Sequence, residues 1–488
     1  MTARRDPFAA EIHRGLESLK QLDYPAAIEA IEPVVDAKPQ HAAANYHLGR
    51  AYYFLGEVEK AVRHLDRAVR AGAGLGALSF RAVVAAFDPT RNHRDVLACR
   101  QAFAASLQNT FGPRRPRVRA ARVSPDKVLR VGYVSSFFDA ENWMKPVWAL
   151  LDHHDPDTIE SHIFSDSPQP AIARRRARLA RARFHDISRL DNVRATRLIA
   201  AHRLDILVDL NGLSKTGRLP LFLSRPAPLT LAWFNIFGTT GMSCFDAIIG
   251  DKWVIRGNEE RWYVESVVKL PMSYLTFDVT YPVPRVLPPP CLRNGFITFG
   301  GLTSLYKWND RVVRAWAEIL RRCPKSRLVL ANALLGTKSN RLYTLRRFTD
   351  LGVPSERVDM HGGAAHRRFL KHYDSIDIAL DTFPYNGGTT TSEAIWQGVP
   401  VLTFHGDRWI SRTSATILSN ANLEEFVCKD LKGYVESAVR WGNGRDSASK
   451  LQDLRVTMRE RLKKSPILDC ERFARLVEGA YRELVEGR

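Results

Sequence analysis

Cysteine is scarce in this 488-residue chain: six residues, at 99, 244, 291, 323, 428 and 470. None forms a CxxC pair, so neither a disulfide framework nor a cysteine zinc cluster is expected, and a reducing cytoplasm is the expected compartment. Long apolar runs are missing as well. Nowhere do about 18 apolar residues follow one another, so no membrane span is expected. The opening Met1-Thr-Ala-Arg-Arg-Asp-Pro-Phe8 lacks the apolar stretch of a signal peptide. Acidic residues are in the minority, 52 against 72 Lys and Arg, which leaves a net charge of +20. Such a surplus suits nucleic acid, an anionic membrane or an acidic small ligand. No recognition-helix pattern, zinc finger or aromatic RNA-binding signature accompanies it, so nucleic acid is not the expected partner. Much of the surplus is arginine, as in Arg174-Arg-Arg-Ala-Arg-Leu-Ala-Arg-Ala-Arg183, which reads as a solvated helical face.

What is present is ordinary for a globular chain: 45% apolar and 25% charged residues, enough for about two to four domains. Residues 1–111 read as helical hairpins. Gly15 and Gly49 are 34 residues apart, as are Ala27 and Ala61. That period, with small residues where paired helices must close, resembles tetratricopeptide repeats. Two further helices, near 76–86 and 93–109, would cap the stack. Residues 112–127, basic and broken by proline, read as a linker. From 128 to 280, short apolar runs at 128–134, 161–165, 206–209, 229–233 and 247–249 alternate with helical segments. After the proline-rich 282–290, a second such unit runs from 291 to 488. The alternation predicts an α/β fold with two doubly wound parallel sheets.

The most informative segment is Ile378-Ala-Leu-Asp-Thr-Phe-Pro-Tyr-Asn-Gly-Gly-Thr-Thr-Thr-Ser-Glu-Ala-Ile-Trp-Gln-Gly398. It reads as strand, turn and helix. Asn386, Gly387 and Gly388 make a sharp turn that lets backbone approach a ligand. Thr389, Thr390 and Thr391 open the helix, where free N–H groups favour phosphate. Glu393 follows within reach of a sugar hydroxyl. Lys307, after strand 296–299 and its glycine loop, falls at the carboxyl edge of the sheet, where α/β ligands sit. No loop carries a DxD pair suited to a divalent metal. Lysine, hydroxyls and a helix N-terminus would then stabilise a departing phosphate, and no metal or other cofactor is expected.

Asp381-Thr-Phe-Pro-Tyr-Asn-Gly-Gly-Thr-Thr-Thr391 resembles the donor-binding signature of the O-linked N-acetylglucosamine transferase family, glycosyltransferase family 41. Leu129–Ser136, Asp205–Gly212, Arg225–Pro228, Gly238–Gly241 and Leu305–Lys307 match it too, in the family's order. The resemblance covers most of the chain beyond about residue 128. It implies a GT-B fold, two sheet domains facing a cleft, and an inverting transfer from a nucleotide sugar to Ser or Thr of a protein. It implies that Lys307 contacts the donor diphosphate, that Glu393 holds the ribose and that Arg412 matches a recurrent arginine. Three positions depart from the pattern. Glu141 replaces a histidine on the acceptor side, Phe369 stands where a histidine stacks on the base, and Ser304 replaces a glutamine. UDP-N-acetylglucosamine is the expected donor. Transfer of a nonulosonic acid from a CMP donor to flagellin, fucosyl transfer of the SPINDLY type, and an inactive repeat-bearing scaffold stand as alternatives.

Overall fold

The computed structural model describes residues 7–112, 124 and 127–487. The segment expected to be a linker lies almost wholly outside them. Six helices come first: α1 (Ala9–Lys20), α2 (Tyr24–Ala37), α3 (Ala42–Phe54), α4 (Val58–Arg70), α5 (Leu75–Val84) and α6 (His93–Phe111). The 34-residue period has a steric origin. A Cβ on Gly15 would lie 2.3 Å from the Ile31 side chain, and one on Gly49 would lie 2.7 Å from Leu65. Glycine lets α1 close on α2, and α3 on α4. Asp23 starts α2 by accepting the Ala26 N–H.

Two wholly parallel sheets follow. The first contains β1 (Leu129–Ser135), β2 (Ile159–Ser165), β3 (Arg183–Asp186), β4 (Ile206–Asp209), β5 (Leu229–Ala232), β6 (Ala247–Asp251) and β7 (Ser266–Leu270). Their order is β3-β2-β1-β4-β5-β6-β7. The second contains β8 (Thr298–Gly301), β9 (Arg327–Ala331), β10 (Val358–His361), β11 (Ile378–Leu380), β12 (Val401–Phe404) and β13 (Val427–Cys428), ordered β10-β9-β8-β11-β12-β13. In each sheet the winding reverses once, between β1 and β4 and between β8 and β11. Such switch points open a crevice at the strands' carboxyl ends, where ligands bind.

The expected strands are found, with ends shifted by a residue or two. Three strands had no counterpart in the sequence reading: β3, β7 and β13. All three are sheet edges, where one side is unpaired and the apolar pattern is weak. β3 also corrects the arginine run. Its helix ends at Leu179, and Arg183 belongs to the strand. Within that helix Arg174, Arg175 and Arg178 are exposed as expected. Arg176 is buried instead, 2.7 Å from the Asp152 carboxylate and 4.6 Å from the Trp148 ring centroid.

The chain forms two compact units that interleave in sequence. One comprises the chain up to Asn92, Pro282–Ser419 and Leu423–Arg461; the other comprises His93–Tyr281, Asn420–Asn422 and the chain from Leu462. This differs from the segmentation by sequence order. Helix α6 belongs with the first sheet, where Arg100 donates to the Thr239 and Phe237 carbonyls. The last helix, Cys470–Glu486, returns there too: its Tyr481 hydroxyl lies 3.3 Å from that of Tyr133, and Glu478 is 2.9 Å from His154 Nδ1. Helices α1–α5 pack within the unit of the second sheet. The Tyr343 hydroxyl donates to Glu57 at 2.9 Å. Gly56, at φ +81°, lays the α3–α4 turn on the Trp308 carbonyl, which a Cβ would approach to 2.5 Å. The helical stretch is therefore divided between the two compact units.

Candidate active site

The loops after β8 and β11 flank the switch point of the second sheet and carry the predicted donor residues. Lys307 closes a short 3₁₀ turn, Leu305–Lys307, and its N–H donates to the Ser304 carbonyl at 2.9 Å. The Lys307 Nζ donates to the Asn386 carbonyl at 2.7 Å and lies 3.7 Å from the Tyr385 ring centroid. Burial pushes this amine down to about 8, against the opposing pull of the Asp381 carboxylate. One carbonyl and one aromatic face orient the ammonium and leave N–H donors for an anion.

Asp381 builds the turn that receives Lys307. Its Oδ1 accepts the Thr382 N–H at 2.9 Å and the Gly387 N–H at 2.8 Å, and its Oδ2 accepts the Thr403 hydroxyl at 2.7 Å. The Asn386 amide donates to the Thr382 carbonyl at 2.7 Å. Its Oδ1 is buried and accepts no hydrogen bond among the described residues. A Cβ on Gly387 would fall 2.4 Å from Thr391 Oγ1 and 2.9 Å from Thr390 Oγ1. Gly388 caps the helix Thr389–Trp396 without a side-chain cap. The first-turn N–H groups therefore have no carbonyl of their own helix to meet.

The three threonines do not face alike. Thr389 and Thr390 are half-exposed. Thr391 is buried, with its hydroxyl 2.7 Å from that of Ser414. Glu393 is buried, and its Oε1 lies 2.8 Å from His366 Nε2. His366 is thereby the partner of Glu393. The two are 27 residues apart, and no motif spacing links them. Phe369 is half-exposed, edge-on to Tyr373, whose hydroxyl donates to the Thr390 carbonyl at 3.0 Å. Arg412 is buried, and its Nε donates to the Gly406 carbonyl at 2.9 Å, which ties the loop after β12.

A layer of aromatic rings beneath Lys307 was not foreseen. Tyr53 of α3 stacks on Tyr306 at 4.9 Å, and Phe87 packs on Tyr385 at 4.5 Å. Tyr306 and Tyr385 are themselves 6.0 Å apart. The rings of the helical region thus support the residues that hold the lysine. Neither Tyr53 nor Phe87 belongs to a motif that the sequence shows.

Glu141 lies in the other compact unit, in the loop between β1 and the helix Lys145–His153, and pairs with Arg175 at 2.8 Å. At that sheet's switch point, burial pushes the Asp209 carboxyl up to about 7, although it accepts the Asn211 and Gly212 N–H groups at 3.1 and 2.9 Å. The Asn211 side chain in turn accepts the Ser136 N–H at 2.8 Å, which joins the loops after β1 and β4.

Comparison with known proteins bears on this arrangement. The profile of glycosyl transferase family 41 matches residues 109–287 and 291–477, and a tetratricopeptide repeat profile matches 12–75. The chain belongs to glycosyltransferase family 41. Family relatives include the probable UDP-N-acetylglucosamine–peptide N-acetylglucosaminyltransferase SPINDLY of Hordeum vulgare, 33% identical over 372 residues. That alignment covers 74% of this chain and 38% of the relative. SPINDLY of Solanum lycopersicum is 31% identical over 370 residues, covering 74% and 39%. The chain thus spans about two fifths of the length of these curated relatives. A solved mutant of the O-GlcNAc transferase of Thermobaculum terrenum superposes with a TM-score of 0.82 at 25% identity, covering 100% of this chain and 99% of that one. Two parallel α/β sheets of GT-B type, preceded by repeat-like helices, are thus the family 41 fold. Among the described residues no helix is long and apolar enough to cross a membrane.

Proposed function

We propose that this family 41 protein transfers N-acetylglucosamine from UDP-N-acetylglucosamine to Ser or Thr hydroxyls of a protein acceptor, with inversion at the anomeric carbon. The observation that carries the reading is Lys307, held between the Asn386 carbonyl and the Tyr385 ring beside the start of helix Thr389–Trp396. A cation, free N–H groups and small hydroxyls then converge where a diphosphate would sit. The printed names of the relatives support the sugar and the acceptor class.

In this scheme the acceptor oxygen bonds to the anomeric carbon as the bond from that carbon to the diphosphate oxygen breaks. The diphosphate keeps the electron pair, and the hydroxyl proton leaves to a base. Lys307, the Thr389 and Thr390 hydroxyls and the first-turn N–H groups stabilise the developing charge, which makes the transfer metal-independent. Asn386, Gly387 and Gly388 shape the cradle, Thr391 braces it from inside, and Ser304 positions the lysine turn. The ribose hydroxyls meet the Glu393–His366 pair, and Phe369 stacks on the base. Glu141, oriented by Arg175, serves the acceptor side, and Arg412 fixes the loop that follows β12. A thermal-shift screen tests the donor. UDP and its N-acetylglucosamine ester at 100 times Kd should stabilise the protein by about 2.7 kcal/mol. Stabilisation by GDP or CMP sugars, with none by UDP, would replace this donor. EDTA should leave turnover unchanged.

A further inference from the structure

Three histidines that are far apart in sequence meet at the edge of the first sheet: His162 on β2, His185 on β3 and His202 just after the helix Asn192–Ala201. The parallel register explains the meeting. Phe164 pairs with His185, and His162 pairs with Arg183. Residues two apart on a strand share a face, so His162, Phe164 and His185 project to the same side. His202 joins them from the helix end, its ring 4.1 Å from that of His185 and 5.2 Å from that of His162. One ligand nitrogen from each ring can be chosen so that all lie within 4.8 Å of one another. His162 Nδ1 and His185 Nε2 are already 3.1 Å apart, close to the spacing of two nitrogens on a tetrahedral zinc ion, about 3.3 Å for bonds of about 2.0 Å.

We propose that His162, His185 and His202 form a binding site for a divalent transition-metal ion, zinc foremost, with a fourth position open to water. The neighbouring hydrogen bonds favour it. His162 is 1% exposed, and its Nε2 lies 2.8 Å from the Glu160 carboxylate. A proton on Nε2 fixes the tautomer and turns the Nδ1 lone pair toward His185. A carboxylate behind a ligating histidine is the usual outer partner of zinc imidazoles. Arg183 and Arg130 lie 3.1 and 3.5 Å from that carboxylate, which offsets part of their charge; both still help to hold the His202 imidazole down, and Arg183 acts on His162 and His185 as well. His202 follows the carboxyl end of its helix, where orphan carbonyls favour a cation. Burial, helped by the other two rings, holds the His185 imidazole down to about 4, and His162 and His202 are also lowered by burial. Near neutral pH the rings therefore carry lone pairs, the form that binds metal. Imidazole ligands suit zinc, copper, nickel and iron. The group belongs to the unit of the first sheet and includes none of the residues assigned to the donor. A metal there would clip the edge strand β3 to β2 and to the helix end.

The test uses the full-length, tag-free protein, stripped with chelator and titrated with Zn²⁺, and with Co²⁺ as a spectroscopic probe. The expected result is one ion per chain, tetrahedral Co²⁺ absorption, and a higher unfolding temperature with Zn²⁺. His202→Ala and His185→Ala, at half-exposed positions, should each lose tight binding. Glu160→Gln should weaken it by about 10–100-fold. Circular dichroism and UDP binding establish that each variant is folded. Two outcomes overturn the proposal: the wild type takes up no stoichiometric metal, or the folded His202→Ala and His185→Ala variants bind as tightly as the wild type.

Discussion

Raising the pH should release UDP, because Lys307 is an unusually acidic amine. Burial brings it down to about 8, so the free protein loses this charge within an accessible range. A diphosphate held by Lys307 would favour the ammonium form and draw a proton on binding. At pH 9 only about one Lys307 in ten would be charged in the free protein, and the apparent Kd should weaken about tenfold relative to pH 7, or about 1.4 kcal/mol. Unfolding does not explain such a loss. The folded amine has the lower pKa, so this group makes the fold more stable as pH rises from about 8 to about 10. Isothermal titration of UDP across that range measures the effect. Lys307→Arg, charged throughout, is the control, because ionisation of UDP itself cancels in the ratio of the two proteins. A wild-type profile parallel to that of Lys307→Arg up to about pH 9.5 would refute the assignment of Lys307 to the diphosphate.

Three further outcomes are expected. Lys307→Ala should lower turnover about a hundredfold or more while the protein stays folded, measured by steady-state kinetics and circular dichroism. Tyr53→Ala should cost about 3–5 kcal/mol in urea unfolding, because it removes a buried ring stacked on Tyr306, and should weaken UDP as well; unchanged UDP affinity would mean that the ring layer does not support the lysine. Gly387→Ala should weaken UDP markedly, since the added methyl meets the Thr390 and Thr391 hydroxyls, and equal affinity by calorimetry would show that the cradle yields freely.

The turn and helix start beside Lys307 were legible because their signals are local. A glycine turn and a threonine-led helix start lie within a dozen residues, and both follow from backbone rules. The 34-residue period was legible for a similar reason: Gly15 and Gly49 each admit one specific side chain of the partner helix. What stayed hidden depended on tertiary packing. Tyr53 and Phe87 carry no motif, and only the structure sets them on Tyr306 and Tyr385. Removing the chain up to about Ser124 would strip the rings beneath Lys307 and should abolish UDP binding. His366 and Glu393 meet across 27 residues of helix and strand with no shared motif. The edge strand β3, Arg-Phe-His-Asp, carries too little apolar pattern to be read as a strand. Its histidine therefore could not be set beside His162, because that neighbourhood exists only in the register of the sheet.

The proposed reaction is sugar transfer from UDP-N-acetylglucosamine with Lys307 assisting departure of the diphosphate. The most direct measurement is intact mass spectrometry of Ser/Thr acceptor proteins incubated with UDP-N-acetylglucosamine and either the wild type or Lys307→Ala, with UDP release followed in parallel. Addition of N-acetylhexosamine to a serine or threonine together with stoichiometric UDP is expected, and loss of both with the variant. UDP-N-acetylglucosamine bound by calorimetry but transferred equally well by the folded variant and the wild type would contradict it.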